Sequence, residues 1–329
     1  FDAQRRRPLA VRSNGLSRVL QARSREKILI VTDARKELDA GLPVRDFLLY
    51  VMSTRTLLGV VSESGNFSLH VASQMRLTPA TPGERFEETS IGSLSENLRR
   101  EIENDFPLLH ANALVGLWGA LEACINDLCL LWLPCMERQE LGDALEGTRV
   151  KLGEYLSLGE EEQWLWILDQ LQRSDGGSLR TGIGQFESIL KPLGVSPSVD
   201  SAVRTTLFRI KAMRNLYAHR AGRADAKFLK EWPGHPASVG QIVIPTSNQI
   251  IAGYTAMVLY VEAVHGSMQS KLGTPRSLPE PPPWINSVED LLPMLEPNPY
   301  VPEGAPWSYH FSHDQQDRDS SEDSAASSV

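Results

Sequence analysis

The sequence predicts an all-α protein, and two observations carry that prediction. First, the segments 106–133, 201–220 and 247–269 carry apolar residues at three- and four-residue steps, the period of a helix with one packed face. Second, the chain has 329 residues of which 41% are hydrophobic, which is enough for a substantial core. A bundle of packed helices accounts for both observations.

The N-terminal part of the chain divides into an arm and a helical region. Residues 1–26 are rich in arginine and weakly patterned, which predicts a flexible basic arm, with an arm that touches phosphate as the alternative. Residues 27–92 are predicted as an N-terminal helical region, because helix-length apolar stretches at 28–38 and 44–61 are separated by a Gly-Leu-Pro break. Residues 67–75 fit either a short strand or a helix end.

The most apolar run of the chain, 106–133, is predicted to be a buried core helix. Glu122 and Asp127 lie within it, and a helix that faces lipid would tolerate these side chains poorly. A core helix is therefore favoured over a membrane span. Upstream of this run, Ser93 and Glu96 have the spacing of a capping box, so a helix is expected to begin there.

Residues 93–270 are predicted to form one helical domain around this core helix. Within it, residues 134–200 are interpreted as inserted or bridging helices, with breaks at Gly and Pro positions. The segment 201–220 is strongly amphipathic, and Gly222 is placed to end it, because glycine accepts the left-handed conformation that closes a helix. Residues 241–245 are typical of a short extended piece.

The C-terminal part, residues 271–329, is predicted to be a tail. It fills with proline and then becomes acidic and serine-rich, with no core formers from about Gln315. We expect the end of this tail to be disordered.

Composition narrows the cellular setting and the class of partner. Cys124, Cys129 and Cys135 lie close together without a C-x-x-C pair or a second cluster, which predicts buried thiols in a reducing compartment. No signal-peptide pattern follows Phe1, so a cytoplasmic protein is predicted. The net charge of -8 argues against a broad surface for nucleic acid, so any contact with RNA is expected to be focal.

The most chemically capable side chains lie at the end of the segment 201–220. An arginine offers a charged fork of donors to a phosphate, and a histidine can move a proton near neutral pH, so Arg214 and His219 suit phosphodiester chemistry. Asn215 lies one turn before His219 and can orient the imidazole or the phosphate by hydrogen bonds. The predicted reaction is metal-independent cleavage of RNA by the ribose 2′-hydroxyl, which leaves a 2′,3′-cyclic phosphate and a 5′-hydroxyl.

One helix supplies a single arginine and a single histidine, which is little for this chemistry. Two copies meeting across a two-fold axis would bring two of each to one groove, so a homodimer is predicted as part of the mechanism. Glu122 and Asp127 are predicted to pair with arginines such as Arg209 or Arg214 and to support the bundle, since an unpaired buried carboxylate is costly. Tuning of the site is their secondary role.

The R-N-x-x-x-H pattern at Arg214, Asn215 and His219 resembles the R-x4-6-H signature of the HEPN superfamily (higher eukaryotes and prokaryotes nucleotide-binding). The segment 113–128 is similar to the helix that packs on the motif helix in bacterial members, and the resemblance covers roughly residues 95–270. It implies an all-α HEPN-like bundle, frequent dimerisation and, in many members, metal-independent endoribonuclease activity in toxin–antitoxin, phage-defence or RNA-processing settings.

Two functions from different classes follow from the sequence. The first is a dimeric endoribonuclease without metal or cofactor, acting as a toxin or defence effector that an antitoxin or regulatory protein holds in check. The alternative is a non-catalytic HEPN-type binding or scaffold protein, because some members keep the fold without activity. In a related toxin group a tyrosine two residues after the histidine is a target for modification. Here that position is Ala221, which makes regulation of this kind less supported.

Overall fold

The computed structural model describes residues 41–75, 99–146, 151–174, 182–273 and 285–297. Every regular element in these ranges is helical, which confirms the all-α prediction, and one isolated antiparallel bridge joins Arg223 to Ile242. The basic arm, the stretch 28–38, the Ser93 capping box and the last 32 residues lie outside the described ranges. The α-helices are α1 (Leu42–Met75), α2 (Pro107–Trp132), α3 (Arg138–Ala144), α4 (Leu152–Ser157), α5 (Glu160–Ser174), α6 (Gly184–Leu190), α7 (Ser201–Arg220), α8 (Ala226–Glu231), α9 (Ser247–Leu272) and α10 (Leu291–Met294).

Helix α2 is the centre of the bundle, as predicted for a core helix. It begins at Pro107, where proline fits the first turn because no intrahelical partner awaits its missing N–H. Helices α1, α5, α7 and α9 pack around it, and Trp118 and Leu121 are fully buried. By length and composition it is also the one helix of the described ranges that could cross a membrane. Its packing against four neighbouring helices makes that weak evidence for a span.

Helices α7 and α9 pack on α2 and on each other. The bounds of α7, Ser201–Arg220, are those predicted from the sequence, and the Asp200 carboxylate caps the helix by accepting from the Ala202 N–H at 2.7 Å. Thr246 and Gln249 form a capping box at the start of α9, which runs three residues beyond the predicted end and closes at Gly273. These two helices carry a large share of the remaining core.

The N-terminal helix and the segment 134–200 belong to the same core as α2. Helix α1 continues without interruption to Met75, so residues 67–75 are the end of a helix rather than a strand. Its side chains Val44, Phe47 and Val51 are buried in the cluster that α2 and α9 share. Ile167 and Leu171 of α5 are buried in this cluster as well, so the inserted helices contribute to the core of the bundle.

The segment 285–297 differs from the predicted tail. Helix α10 packs on α7 and α9, and Leu291 and Leu295 are fully buried. The Gln249 amide donates to the carbonyl oxygens of Leu295 and Glu296 at 3.4 and 3.3 Å, which ties this segment to the start of α9. The predicted boundary at 271 is therefore wrong for these residues. Two leucines four residues apart suffice for one short helical face, and the surrounding prolines conceal it.

Truncation of Leu291 tests this assignment. We expect Leu291→Ala to lower the free energy of unfolding by about 2–4 kcal/mol, because a fully buried leucine leaves a cavity. The matched control is Leu292→Ala, since Leu292 is 42% exposed on the same helix and its truncation should cost less than about 1 kcal/mol. Urea denaturation followed by circular dichroism measures both. Equal effects would show that α10 does not pack in the core.

The three cysteines are free thiols, and Cys124 and Cys129 are buried on α2, as predicted. Burial raises the pKa of the Cys129 thiol to about 12, so it stays protonated and unreactive at neutral pH. Cys135 is half-buried just beyond the helix. Within the described ranges, no group of three or more His, Cys, Asp or Glu side chains could hold a metal ion.

Candidate functional site

The motif lies at the C-terminal end of α7, and the chain after it is held by backbone hydrogen bonds. Ala221 and Gly222 both adopt left-handed conformations, and their N–H groups donate to the Leu216 carbonyl oxygen, which ends the helix. Gly222, which the sequence predicted to end the helix, is thus preceded by a second left-handed residue, Ala221. A Cβ at Gly222 would lie 2.8 Å from the Tyr217 ring, so only glycine fits this close approach.

The loop after the motif is paired with residues 240–243. The Ala224 N–H donates to the Gln241 carbonyl at 2.7 Å, and the Val243 N–H donates to the Gly222 carbonyl at 2.9 Å. The Tyr217 hydroxyl donates to the Val243 carbonyl from the last turn of α7. This pairing, which agrees with the extended piece predicted at 241–245, fixes the position of α8 beside the end of α7.

Arg214 is partly buried and lies between Asn215 and the core helix α2. One guanidinium nitrogen donates to the Asn215 side-chain oxygen at 3.3 Å, and another lies 3.9 Å from a carboxylate oxygen of Glu122. The predicted pairing of Glu122 with an arginine is therefore confirmed for Arg214. Arg209 instead lies over the ring of Trp232, with its guanidinium carbon 5.2 Å from the ring centre.

Glu122 is anchored by hydrogen bonds from two other residues. The Trp118 indole N–H donates to it at 2.9 Å, and the Gln185 amide donates to it at 3.0 Å. The Lys211 ammonium group also donates to Gln185 and lies 5.8 Å from the centre of the Trp118 ring. Burial lowers the pKa of Lys211, and the charge of Glu122 opposes that shift. Glu122 thus sits at the centre of a polar cluster that positions Arg214.

Asp127 does not take part in this cluster. Five residues separate it from Glu122, which places the two side chains about 140° apart around the helix axis. Asp127 instead lines a groove between α1 and α2 that also contains Asp46. Burial raises the pKa of Asp127, and the neighbouring charge of Asp46 raises it further. Among the described residues Asp127 has no ion pair with an arginine, so its predicted pairing stays a prediction.

Asn215 and His219 line an open groove between α7 and α8 with a volume of about 300 Å³. His219 is exposed and makes no hydrogen bond to the described residues. Two long ion pairs border the groove, one between the end of α7 and the start of α8 and the other within α8. Arg220 lies 3.8 Å from Asp225, and Lys227 lies 3.9 Å from Glu231. The groove therefore combines an imidazole with two exposed cations whose carboxylate partners lie almost 4 Å away.

Asn215 is the residue that joins the two parts of the motif. Its oxygen accepts from Arg214, and its side chain lines the groove that contains His219. Arg214 itself is not among the residues that line this groove. A single chain therefore places the arginine beside the groove and the histidine inside it.

Comparison of the chain with protein-family models, with curated proteins and with solved structures gives no match. What the motif does is therefore argued from its residues and their geometry.

Several polar residues of this region were not predicted from the sequence. Lys211 is one of them, although the four-residue spacing of Lys211, Asn215 and His219 places all three on one helix face and could have indicated it. Lys227 and Glu231 follow the same rule on α8. Their approach to α7 depends on the pairing of the loop with residues 240–243, which no local pattern reveals.

A second cavity of about 400 Å³ lies between α1, α2 and α9 and has a polar corner. There the Ser247 hydroxyl donates to the Asp105 carboxylate at 2.6 Å, and its oxygen lies 3.4 Å from the His110 Nε2. The Ser247 N–H also donates to Asp105 at 2.9 Å. Because the serine proton points to the carboxylate, the histidine is not placed to activate the serine. Asp105 acts here as a cap that fixes the start of α9.

His235 closes an aromatic cluster beneath α8. Its ring meets the rings of Phe228 and Trp232 edge-on at 5.0 and 5.1 Å. Burial lowers the pKa of His235 from 6.5 to about 4. Its Nδ1 accepts from the Ala237 N–H at 3.2 Å, which requires the neutral ring. The folded protein therefore keeps this imidazole uncharged at neutral pH.

This histidine predicts a loss of stability in acid. Below pH 6.5 the unfolded chain takes up a proton at His235, whereas the folded chain does so only near pH 4, so the free energy of unfolding falls through this window. We expect the contribution to reach about 1–2 kcal/mol for this half-buried ring. Thermal denaturation between pH 7 and pH 4.5, compared for the parent protein and His235→Phe, isolates the effect. The stability of the variant should fall less with decreasing pH than that of the parent protein. An equal fall in both proteins would contradict the prediction.

Proposed function

We propose that this protein is a metal-independent endoribonuclease of HEPN type that acts as a two-fold dimer. The observation that carries the proposal is the bridging position of Asn215, which accepts a hydrogen bond from Arg214 and lines the groove with His219. The three motif residues thereby form one continuous polar surface at the end of α7.

His219 supplies the proton transfer in this proposal. Its imidazole is exposed and free of hydrogen bonds to the described residues, so it can accept the proton of a ribose 2′-hydroxyl. The 2′-oxygen attacks phosphorus, and the bond between phosphorus and the 5′-oxygen breaks. The departing oxygen takes a proton from His219 of the second copy. The products are a 2′,3′-cyclic phosphate and a 5′-hydroxyl, and DNA is not a substrate because it lacks the attacking group.

Arg214 stabilises the charge that builds on the phosphate. Its separation of 3.9 Å from Glu122 is long for an ion pair, and the pair is partly exposed, so a phosphate can compete for the guanidinium. Asn215 and Glu122 hold the arginine close to the groove before substrate binds. A preorganised guanidinium group stabilises the transition state effectively because it does not have to reorient during the reaction.

The second copy completes the site. In one chain the two cations that line the groove with His219, Arg220 and Lys227, are balanced by Asp225 and Glu231. A second motif helix related by a two-fold axis adds another Arg214 and another His219 to the same groove. This addition supplies both the positive charge and the second proton-transfer group that the reaction needs.

The biological role in this proposal is that of a cytoplasmic toxin or phage-defence effector. A chain with a net charge of -8 and one focal cationic site would bind RNA at that site rather than along its whole surface. An antitoxin or regulatory protein that covers the groove would keep such an enzyme inactive.

The decisive experiment is incubation of the folded protein, in EDTA, with a pool of single-stranded and structured RNA. We expect cleavage that leaves 2′,3′-cyclic phosphate ends. Such ends are recognised because an adaptor can be ligated to the 3′ end of the product only after the cyclic phosphate has been removed. A DNA pool of the same sequences should remain intact. Cleavage that needs a divalent metal, or that leaves 3′-hydroxyl ends, would contradict the proposal.

The alternative function is a non-catalytic HEPN-type binding or scaffold protein. It is favoured by the contact of Arg214 with Glu122, which gives the motif arginine a place in the bundle without any substrate. In that case the folded dimer cleaves no RNA, and Arg214→Ala changes stability or partner binding instead. The same RNA assay, performed together with a measurement of unfolding, separates the two functions.

A further inference from the structure

The outward face of α1 is apolar along most of the helix. Leu49, Leu57, Val60 and Phe67 are 53%, 56%, 56% and 68% exposed, and Met52 lies beside them. The opposite face of the same helix buries Val44, Phe47 and Val51 in the core. A helix that is apolar on two opposite faces is typical of one that is covered on both. We call the exposed set Leu49, Met52, Leu57, Val60 and Phe67 the outer face.

The outer face is arranged symmetrically about its centre. Leu49 and Val60 lie equally far from the midpoint between Thr54 and Arg55, and both lie near the middle of the exposed side at 100° per residue. Leu42 and Phe67 also lie at equal distances from this midpoint, nearer to the two ends of the helix. A two-fold axis through the midpoint would therefore place each residue of these pairs against the other residue in a second, antiparallel helix.

The centre of the face permits close approach of two helices. Ser53 and Thr56 lie on either side of the midpoint on the same exposed side. The Thr56 hydroxyl donates to the Met52 carbonyl at 2.9 Å, so its hydrogen bond is satisfied within the helix. Small side chains at this position would let the two backbones come close while the apolar pairs pack on both sides.

Two opposite charges at one edge of the exposed side of α1 would also pair between the two copies under the same two-fold axis. Arg45 and Glu63 lie at the same angle on the helix and at nearly equal distances from the midpoint. An antiparallel second copy would bring each Arg45 close to Glu63 of the other chain, twice per dimer. Within the described part of the chain, the ion-pair partner of Arg45 is its exposed neighbour Asp46 at 3.5 Å, a weak contact that leaves Arg45 able to take this second partner.

We propose that the outer face of α1 is an interface with a second copy of this chain, in which the two α1 helices pack antiparallel about the midpoint between Thr54 and Arg55. This interface is separate from the pairing of the motif helices and does not rest on ribonuclease activity. A standard interface has about 20–30 residues on each side, whereas the outer face has five apolar side chains, so we expect a dissociation constant on the order of micromolar.

Sedimentation equilibrium over a wide range of protein concentration tests the proposal. Because the motif helices are also proposed to pair, the parent protein should associate beyond a dimer. Val60→Asp should weaken the step made by α1 by about tenfold or more, because it places a charge against Leu49 of the other copy. The matched control is Leu165→Asp on α5, where a leucine of similar exposure, 54%, lies away from α1. Circular dichroism and thermal denaturation confirm that each variant is folded.

Charge reversal tests the antiparallel arrangement itself. Arg45→Glu and Glu63→Arg should each weaken the dimer by several-fold, because like charges then meet at both ends, and the double variant should restore the parent affinity. A protein that stays monomeric, or that stops at a dimer unaffected by Val60→Asp, would overturn the proposal, as would equal effects of Val60→Asp and Leu165→Asp. A double variant as weak as either single variant would also overturn it. RNA cleavage measured on the same samples reports separately on the motif.

Discussion

Replacing His219 with glutamine is expected to lower the rate of RNA cleavage by about 10²–10⁴-fold, the usual contribution of a positioned general acid or base. Glutamine keeps a similar size and can still form hydrogen bonds in the groove, but it cannot exchange a proton near neutral pH. Because the His219 side chain is exposed and makes no hydrogen bond to the described residues, the substitution should leave folding unchanged. Single-turnover cleavage of one defined RNA, in EDTA, measures the effect.

Two arginine variants make this prediction specific to the motif. Arg214→Ala should also lower the rate strongly, by about 10²–10³-fold, because it removes charge stabilisation of the phosphate. Arg173→Ala is the matched control, since Arg173 is an exposed arginine paired with Asp169 on α5 at 3.0 Å. The control should cleave like the parent protein. If His219→Gln cleaves as fast as the parent, the activity belongs to another site or to a contaminant, and the proposed mechanism is wrong.

Replacing Trp118 with alanine is expected to lower the free energy of unfolding by about 3–5 kcal/mol, the range for a fully buried aromatic side chain. The indole ring stacks on Phe186 at a centre-to-centre distance of 5.9 Å and fills the space between α2 and α6. Its N–H also donates to Glu122, so the variant leaves this carboxylate with one donor fewer. Urea denaturation followed by circular dichroism measures the loss.

Two further variants divide this effect into packing and hydrogen bonding. Trp118→Phe restores part of the ring volume but not the donor, so its loss should be intermediate. Trp166→Ala is the matched control, because Trp166 is a half-buried tryptophan on α5 that meets Tyr155 edge-on, and its truncation should cost less. A Trp118→Ala variant no less stable than Trp166→Ala would show that α2 is not the close-packed centre of the bundle.

The sequence predicted the long helices well, for reasons that are local. Helix α7 matches its predicted bounds because an aspartate cap, a regular apolar face and a terminating glycine all lie within its own segment. The core position of α2 follows from its composition alone. The short helix α10 escaped prediction because only Leu291 and Leu295 mark its buried face, and their burial depends on α7 and α9, which are distant in sequence.

The candidate site was predictable in part. Arg214, Asn215 and His219 share one helix, so spacing alone could relate them. Of the pairings predicted between Glu122 or Asp127 and Arg209 or Arg214, the structure shows that of Glu122 with Arg214. Asp127 lies outside the polar cluster of Glu122, because five residues along a helix turn a side chain to a different face. The wall formed by Lys227 and Glu231 could not be predicted, since its position depends on backbone pairing between residues 222–224 and 240–243.

The shared core has a consequence for how this protein is made. Val44 and Phe47 near the start of the described chain, and Leu295 near its end, belong to one cluster of buried residues. At a synthesis rate of about 5–20 residues per second, roughly 10–40 s pass between completion of α1 and emergence of α10. During that time α7 lacks part of its packing. A newly made chain would therefore complete the packing of the motif helix only after α10 has emerged from the ribosome.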